Sequence, residues 1–169
     1  MKKLCVVGKK REPDLKLNDV IIDYVSSLKD INQKYDLIAL WDCNEKPDTE
    51  FIQNNSIIRL HPSLLPSFNS TSPIKDAFMY GVKVTGITVH MVENEDMTGR
   101  ILAQYPVLID AYTHYDQLLE ELEKLSAKIY PLVIKSVLTD KVFDIIEFLS
   151  DTSSHKCGGC SGKCGNCNN

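Results

Sequence analysis

Apolar positions along the chain follow two rhythms: short runs closed off by glycine or charge, and longer stretches that recur every three or four residues. Leu4–Val7 stops at Gly8, Leu37–Trp41 lies between Asp36 and Asp42, and Ile57–Leu60 is interrupted only by Arg59. Runs of this length between turn formers predict buried strands. Val84–Met91 is β-branched and alternating, and Ile101–Ile109 follows it across an acidic loop from Glu93 to Gly99, so both predict further strands. The second rhythm predicts helices. Leu17, Val20, Ile21, Tyr24, Val25 and Leu28 sit at helical spacing, with Asn18 or Asp19 available as a cap. Leu118, Leu122, Leu125, Ile129, Leu132 and Val133 form one stripe on a late helix, from about Asp116 to Leu138. Thr113–Asp116 resembles a capping box in front of it, and Pro131 predicts a kink. A core-facing helix is the plain reading of that stripe. Shorter helices are predicted near Thr49–Gln53 and over Pro73–Tyr80, the latter with proline at its first position and Gly81 just past its end. Lys9–Lys16 reads as a loop, and Val142–Leu149 as a last strand or short helix.

Strand, helix and strand with short connections predict an α/β fold: an open, mostly parallel twisted sheet of Rossmann type with helices on both faces. The length of 169 residues suits one such domain. We expect it over residues 1–150, with 151–169 as a flexible cysteine-rich tail that cannot join a hydrophobic core. A net charge of −4 and scattered basic residues exclude a nucleic-acid surface; Lys9, Lys10 and Arg11 are the one short basic run and read as a solvated loop. No stretch approaches the ~18 apolar residues of a membrane span. The N-terminal apolar run is too short for a signal-peptide core, which predicts a cytoplasmic protein.

Cysteine usage is lopsided. Cys5 and Cys43 lie in the body, while Cys157, Cys160, Cys164 and Cys167 crowd the tail, so a disulfide framework does not fit. The tail pattern is Cys-x-x-Cys-x-x-x-Cys-x-x-Cys. A Cys-x-x-Cys turn lets two thiolates face one centre, and two such pairs suit zinc, copper(I) or an iron–sulfur cluster. The bland alternative is a redox-sensitive thiol tail without a fixed ligand; His155 reads as linker, or as an extra ligand to a tail metal.

Two blocks carry more. His61-Pro62-Ser63-Leu64-Leu65-Pro66 follows the Ile57–Leu60 run. Gly81 to His90 contains Thr85-Gly86-Ile87-Thr88-Val89-His90, and Arg100-Ile101-Leu102-Ala103-Gln104 follows. In order and spacing, together with Tyr130-Pro131, these blocks resemble the catalytic core of the folate-dependent formyltransferases, the glycinamide ribonucleotide and methionyl-tRNA enzymes among them, over about Tyr35 to Leu138. The resemblance implies a site at the C-terminal strand ends, a 10-formyltetrahydrofolate donor and a small-molecule amine acceptor. It also implies an Asn, a His and an Asp that share oxyanion and proton duties.

This sequence keeps the His as His61 but has Arg59 at the Asn position. An arginine can donate to an oxyanion and cannot accept a proton. The position of the Asp falls on Met97; Asp96 is one residue early, in a loop one residue longer than the family's, and the expectation is that it pairs with His61. Arg59, His90, Met97 and Gly99 are candidate substrate- or cofactor-binding residues. Arg59 reads equally as a surface residue at a strand end, and His90 as structural support. Asp42 and Glu45 are expected to be solvated. Gly8-Lys9-Lys10-Arg11-Glu12-Pro13 stands where the ribonucleotide enzymes carry a phosphate-cradling loop, and about one βα unit is absent before Tyr35, which speaks against glycinamide ribonucleotide as acceptor. The absence of the extra C-terminal domain speaks against initiator tRNA. Two functions stay open: a divergent formyl transferase acting on an unidentified amine, or a catalytically degenerate relative that binds a ligand and has a metal-binding or redox-sensing tail.

Overall fold

The computed structural model describes residues 1–8, 15 and 17–146. Six strands form one sheet in the order β2-β1-β3-β4-β5-β6: β1 Lys2–Val7, β2 Val20–Val25, β3 Leu37–Leu40, β4 Ile57–His61, β5 Val84–Met91 and β6 Ile101–Leu108. The first four pair in parallel; β5 runs antiparallel to β4, and β6 antiparallel to β5. The direction in which the chain adds strands to the sheet reverses between β1 and β3, because β2 lies on one side of β1 and β3 on the other. Ligands of open α/β sheets sit at the carboxyl ends beside such a switch point.

Helices α1 (Thr49–Asn54), α2 (Pro73–Tyr80) and α3 (Tyr115–Leu138) cover two faces. Alternation along each strand decides which side chain meets which layer. Leu4, Val6, Leu37, Ala39, Ile58, Ile87 and Val89 face α3, which contributes Leu118, Leu122, Ile129, Tyr130, Val133, Ile134 and Leu138. Each fully buried aliphatic side chain in that layer contributes roughly 1.5–3 kcal/mol. Cys5, Val7, Ile38, Leu40 and Ile57 face the other way, toward Phe51 and Ile52 of α1.

Two expectations about helices change. The segment Leu17–Leu28 is not helical: Val20–Val25 is strand β2, paired with β1, and Leu28–Asp30 is a single 3-10 turn capped by Ser27. Five of the six residues of VIIDYV are β-branched or aromatic, and that composition outweighs the helical spacing. The late helix is present, but Leu132 points outward; Tyr130, Ile134 and Leu138 take its share of the stripe. The helix continues past Pro131 to Leu138. The expected last element at Val142–Leu149 runs beyond the described residues, as do the 150/151 boundary and the tail cysteines 157, 160, 164 and 167.

Candidate active site

Ile57, Arg59 and His61 alternate onto the α1 face of β4, with His61 at the strand's carboxyl end. The antiparallel register sets Arg59 opposite His90 and His61 opposite Thr88, so all four side chains share that face. Opposite Val89 and His90, β6 takes an extra residue, a bulge that twists the ladder beside the site.

Arg59 is half-buried and donates from Nη2 to Asn44 Oδ1 at 3.1 Å. His61 is buried, and its Nε2 lies 3.2 Å from the Phe68 carbonyl oxygen; His90 is buried too, with Nδ1 2.8 Å from the Met91 carbonyl. A carbonyl only accepts, so these nitrogens donate, leaving His61 Nδ1 and His90 Nε2 as the acceptors of neutral rings. Burial pushes the His61 imidazole down to about 4; the Phe68 hydrogen bond opposes the shift and the Arg59 cation adds to it. His90 is lowered as well, first by burial and then by Arg59. The Arg59 guanidinium is itself lowered by burial.

The loop after His61 is fastened to both later strands. Thr88 Oγ1 donates to the Ser63 carbonyl at 2.7 Å and accepts from Leu65 N at 3.0 Å and Gln104 Nε2 at 3.1 Å. Gln104 Nε2 also donates to the Leu65 carbonyl at 2.9 Å. The hydroxyl thus spends its donor and both acceptor sites, and the amide nitrogen both donors. Ser63 Oγ closes the far side on the Ser67 carbonyl at 2.7 Å. A Cβ on Gly86 would lie 2.0 Å from the Tyr105 carbonyl oxygen and 2.8 Å from Leu64, so the glycine lets the loop and the β5–β6 hairpin close on each other. Under the sheet, the Tyr130 hydroxyl sits 3.1 Å from the Leu40 carbonyl and 3.0 Å from that of Ile58, bridging the ends of β3 and β4. Thr88, Gln104 and Ser63 stand in the quoted sequence blocks but received no role there. The signal that could have found them is a polar side chain at a strand position otherwise flanked by apolar residues.

The acidic loop leaves β5 beside the start of β4 and folds back along α1. Val92 N donates to the Ile57 carbonyl, and Glu95 accepts from the Thr49 hydroxyl. Met97 adopts a left-handed backbone, φ 59°, and is buried among Cys43 and Val92 on the α1 side. A Cβ on Gly99 would come 2.3 Å from the Met91 carbonyl oxygen, which keeps the loop's closing turn tight. Asp96 is exposed, and no hydrogen bond joins it to His61. Arg59, His61 and His90 are therefore brought together with the Met97 loop alongside, and the expected Asp96–His61 pair is not formed. Glu45 is not simply solvated: it accepts from Ser27 Oγ at 2.8 Å and from Leu28 N at 2.9 Å, tying the β3–α1 loop to the 3-10 turn. Among the described residues no cluster of three or more His, Cys, Asp or Glu is placed to hold a metal ion, and no helix is long and apolar enough to cross a membrane.

Comparison with known proteins sets this geometry in context. Phosphoribosylglycinamide formyltransferase of Bacillus subtilis (strain 168) is 45% identical over 82 residues, covering 48% of this chain and 42% of that protein. Methionyl-tRNA formyltransferase of Borrelia garinii subsp. bavariensis is 31% identical over 131 residues, covering 74% of this chain and 39% of that protein. The chain thus spans less than half the length of these relatives. Among solved structures, a 4-N formyltransferase from Francisella tularensis superposes with a TM-score of 0.72 at 21% identity, covering 85% of this chain and 72% of that one, which establishes a shared fold. Residues 33–134, more than half of the chain, match the sequence profile described as formyl transferase, and the protein belongs to that family.

Proposed function

We propose that this chain is a divergent formyl transferase that moves a formyl group from a 10-formyltetrahydrofolate-like donor to an amine. One observation carries the reading: Thr88 and Gln104 hold the His61 loop by saturated hydrogen bonds, fixing His61 on the same strand face as Arg59, two residues away. In the reaction, the acceptor nitrogen attacks the formyl carbon and the carbonyl electron pair moves onto oxygen. Arg59 N–H groups receive that oxyanion; a donor in this role contributes roughly 10²–10³-fold. His61 Nδ1 takes the proton that the attacking nitrogen releases as the new C–N bond forms. Collapse of the adduct breaks the bond to the folate nitrogen, which leaves with that proton as tetrahydrofolate.

The exposed position of Asp96 favours a second reading, a relative that binds reduced folate without turning it over. Both are tested by offering 10-formyltetrahydrofolate and an amine panel to the full chain and measuring tetrahydrofolate release. We expect turnover in the wild type and a loss of about 10²–10⁴-fold in His61→Ala. Folate binding without turnover selects the second reading, and unchanged turnover in His61→Ala removes His61 from the mechanism. The acceptor is a small-molecule amine; those in the names of the relatives belong to the relatives. For the tail we propose a thiolate metal site at Cys157, Cys160, Cys164 and Cys167. The soft donor set suits zinc or an iron–sulfur cluster.

A further inference from the structure

Helix α2 uses two of its faces. On one, Pro73 and Ala77 are buried, and the Phe78 ring meets Tyr115 of α3 edge-on with centroids 5.5 Å apart, so the helix is fastened to the body. On the next row Asp76 and Tyr80 are exposed and stand four residues apart, neighbours on the helix surface. Both reach the same short turn, Phe68 to Ser70. The Asp76 carboxylate accepts from Ser70 Oγ, and the Tyr80 ring meets the Phe68 ring edge-on with centroids 5.9 Å apart. That separation lies within the range of a favourable aromatic pair.

The turn goes against local preference. Phe68 has φ 52°, a left-handed backbone that bulky side chains seldom adopt and that persists where the surroundings hold it. Its carbonyl oxygen takes two donors, Ser70 N at 2.9 Å and His61 Nε2 at 3.2 Å, which uses both lone pairs. The lock made by Thr88 and Gln104 grips the loop at Ser63 and Leu65, and Ser63 Oγ extends it to Ser67. At the next residue, Phe68, α2 takes over. His90, on the same strand face, gives the contrast: its Nδ1, not its Nε2, meets a carbonyl, that of Met91 on its own strand. The two buried rings thus hold their protons on opposite nitrogens, each through a different carbonyl.

We infer that Asp76 and Tyr80 are positioning residues for His61: from α2 they hold the turn from Phe68 to Ser70 so that the Phe68 carbonyl keeps the proton on Nε2 and leaves Nδ1 open as the base. The catalytic part of this rests on the formyl-transfer reading and deepens it by naming what sets the state of its base. The place of the proton on the ring does not depend on turnover.

The test uses the full chain, with Asp76→Ala and Tyr80→Ala together as the releasing variant and Asp76→Asn with Tyr80→Phe as the conservative one. Asparagine keeps an oxygen to accept from Ser70, and phenylalanine keeps the ring. In imidazole NMR spectra at pH 7, without folate, wild-type His61 should show a protonated Nε2 and a bare Nδ1, and His90 the reverse. In the releasing variant the two His61 nitrogen shifts should move toward each other. Its Nε2 proton should exchange with water roughly tenfold faster, as the loss of one hydrogen bond implies. His90 should stay as it was, and the conservative variant should restore the His61 signals. With 10-formyltetrahydrofolate and an amine, kcat of the releasing variant should fall roughly 10–100-fold with KM little changed, and the conservative variant should recover it.

His61 signals unchanged in the releasing variant, or His61 and His90 signals moving together, overturn the inference. The ring is then held by its own strand, or the substitutions have loosened the whole site. A changed His61 ring with kcat undiminished overturns the positioning role and leaves formyl transfer intact. A changed ring in a protein whose wild type turns over no amine brings down the transfer reading and leaves the α2 clamp standing.

Discussion

His61 was legible as a candidate site residue because it stands in a specific block; what surrounds it was not. Sequence order suggests Asp96 as its partner. The structure shows why adjacency misleads: the loop takes a left-handed turn at Met97 and buries the methionine, leaving Asp96 outside. The cost of burying two imidazoles next to a cation follows from the fold. The folded His61 pKa, about 4, lies below the model-peptide value of about 6.5, so between those limits the unfolded chain binds the extra proton. Stability is therefore greatest above pH 6.5 and falls as the pH drops toward 4, by up to about 3 kcal/mol from this group. His90, lowered in the same direction, adds to the loss. Denaturant midpoints measured from pH 7.5 to pH 4 should fall steadily in the wild type and more shallowly in His61→Gln. A wild-type curve flat through that window would show that His61 protonates freely in the folded state.

At the scale of elements, strands β3 to β6 and helices α2 and α3 were readable because each has one strong local signature that packing endorses. β2 was not. Its apolar residues satisfy both periods, and the deciding fact, that β1 offers it a parallel partner, is tertiary. The lock between the His61 loop and the hairpin was hidden for a similar reason: it is a contact between residues 23 and 39 positions apart. Its energy can be measured. Thr88→Val keeps the shape of the side chain and removes the hydroxyl, which leaves the Ser63 carbonyl and the Leu65 N–H without their partner. Stranding a buried polar group costs about 1–3 kcal/mol, so a loss of roughly 2–4 kcal/mol is expected in equilibrium unfolding. A loss below about 0.5 kcal/mol would show that the loop is held by its apolar contacts with the hairpin instead.

For the whole molecule, every buried hydrophobic residue among the described ones falls at or before Leu138, and the four cysteines follow only from Cys157, so body and tail can be tested apart. Cys157, Cys160, Cys164 and Cys167 form two Cys-x-x-Cys pairs with glycines between them, and ligation requires deprotonated thiols. Metal uptake should therefore release protons and weaken as the pH falls. A chain shortened to end at Ser150 should retain the circular dichroism and cooperative unfolding of the full chain while losing its metal. The full chain, isolated without oxidation, should carry about one zinc ion or one cluster by elemental analysis. Replacing Cys160 and Cys164 together should abolish that content and leave the unfolding midpoint of the body unchanged. If the reduced chain holds no metal, and takes up none when offered zinc, copper(I) or iron with sulfide, the four thiols are not a metal site and their chemistry is redox chemistry alone.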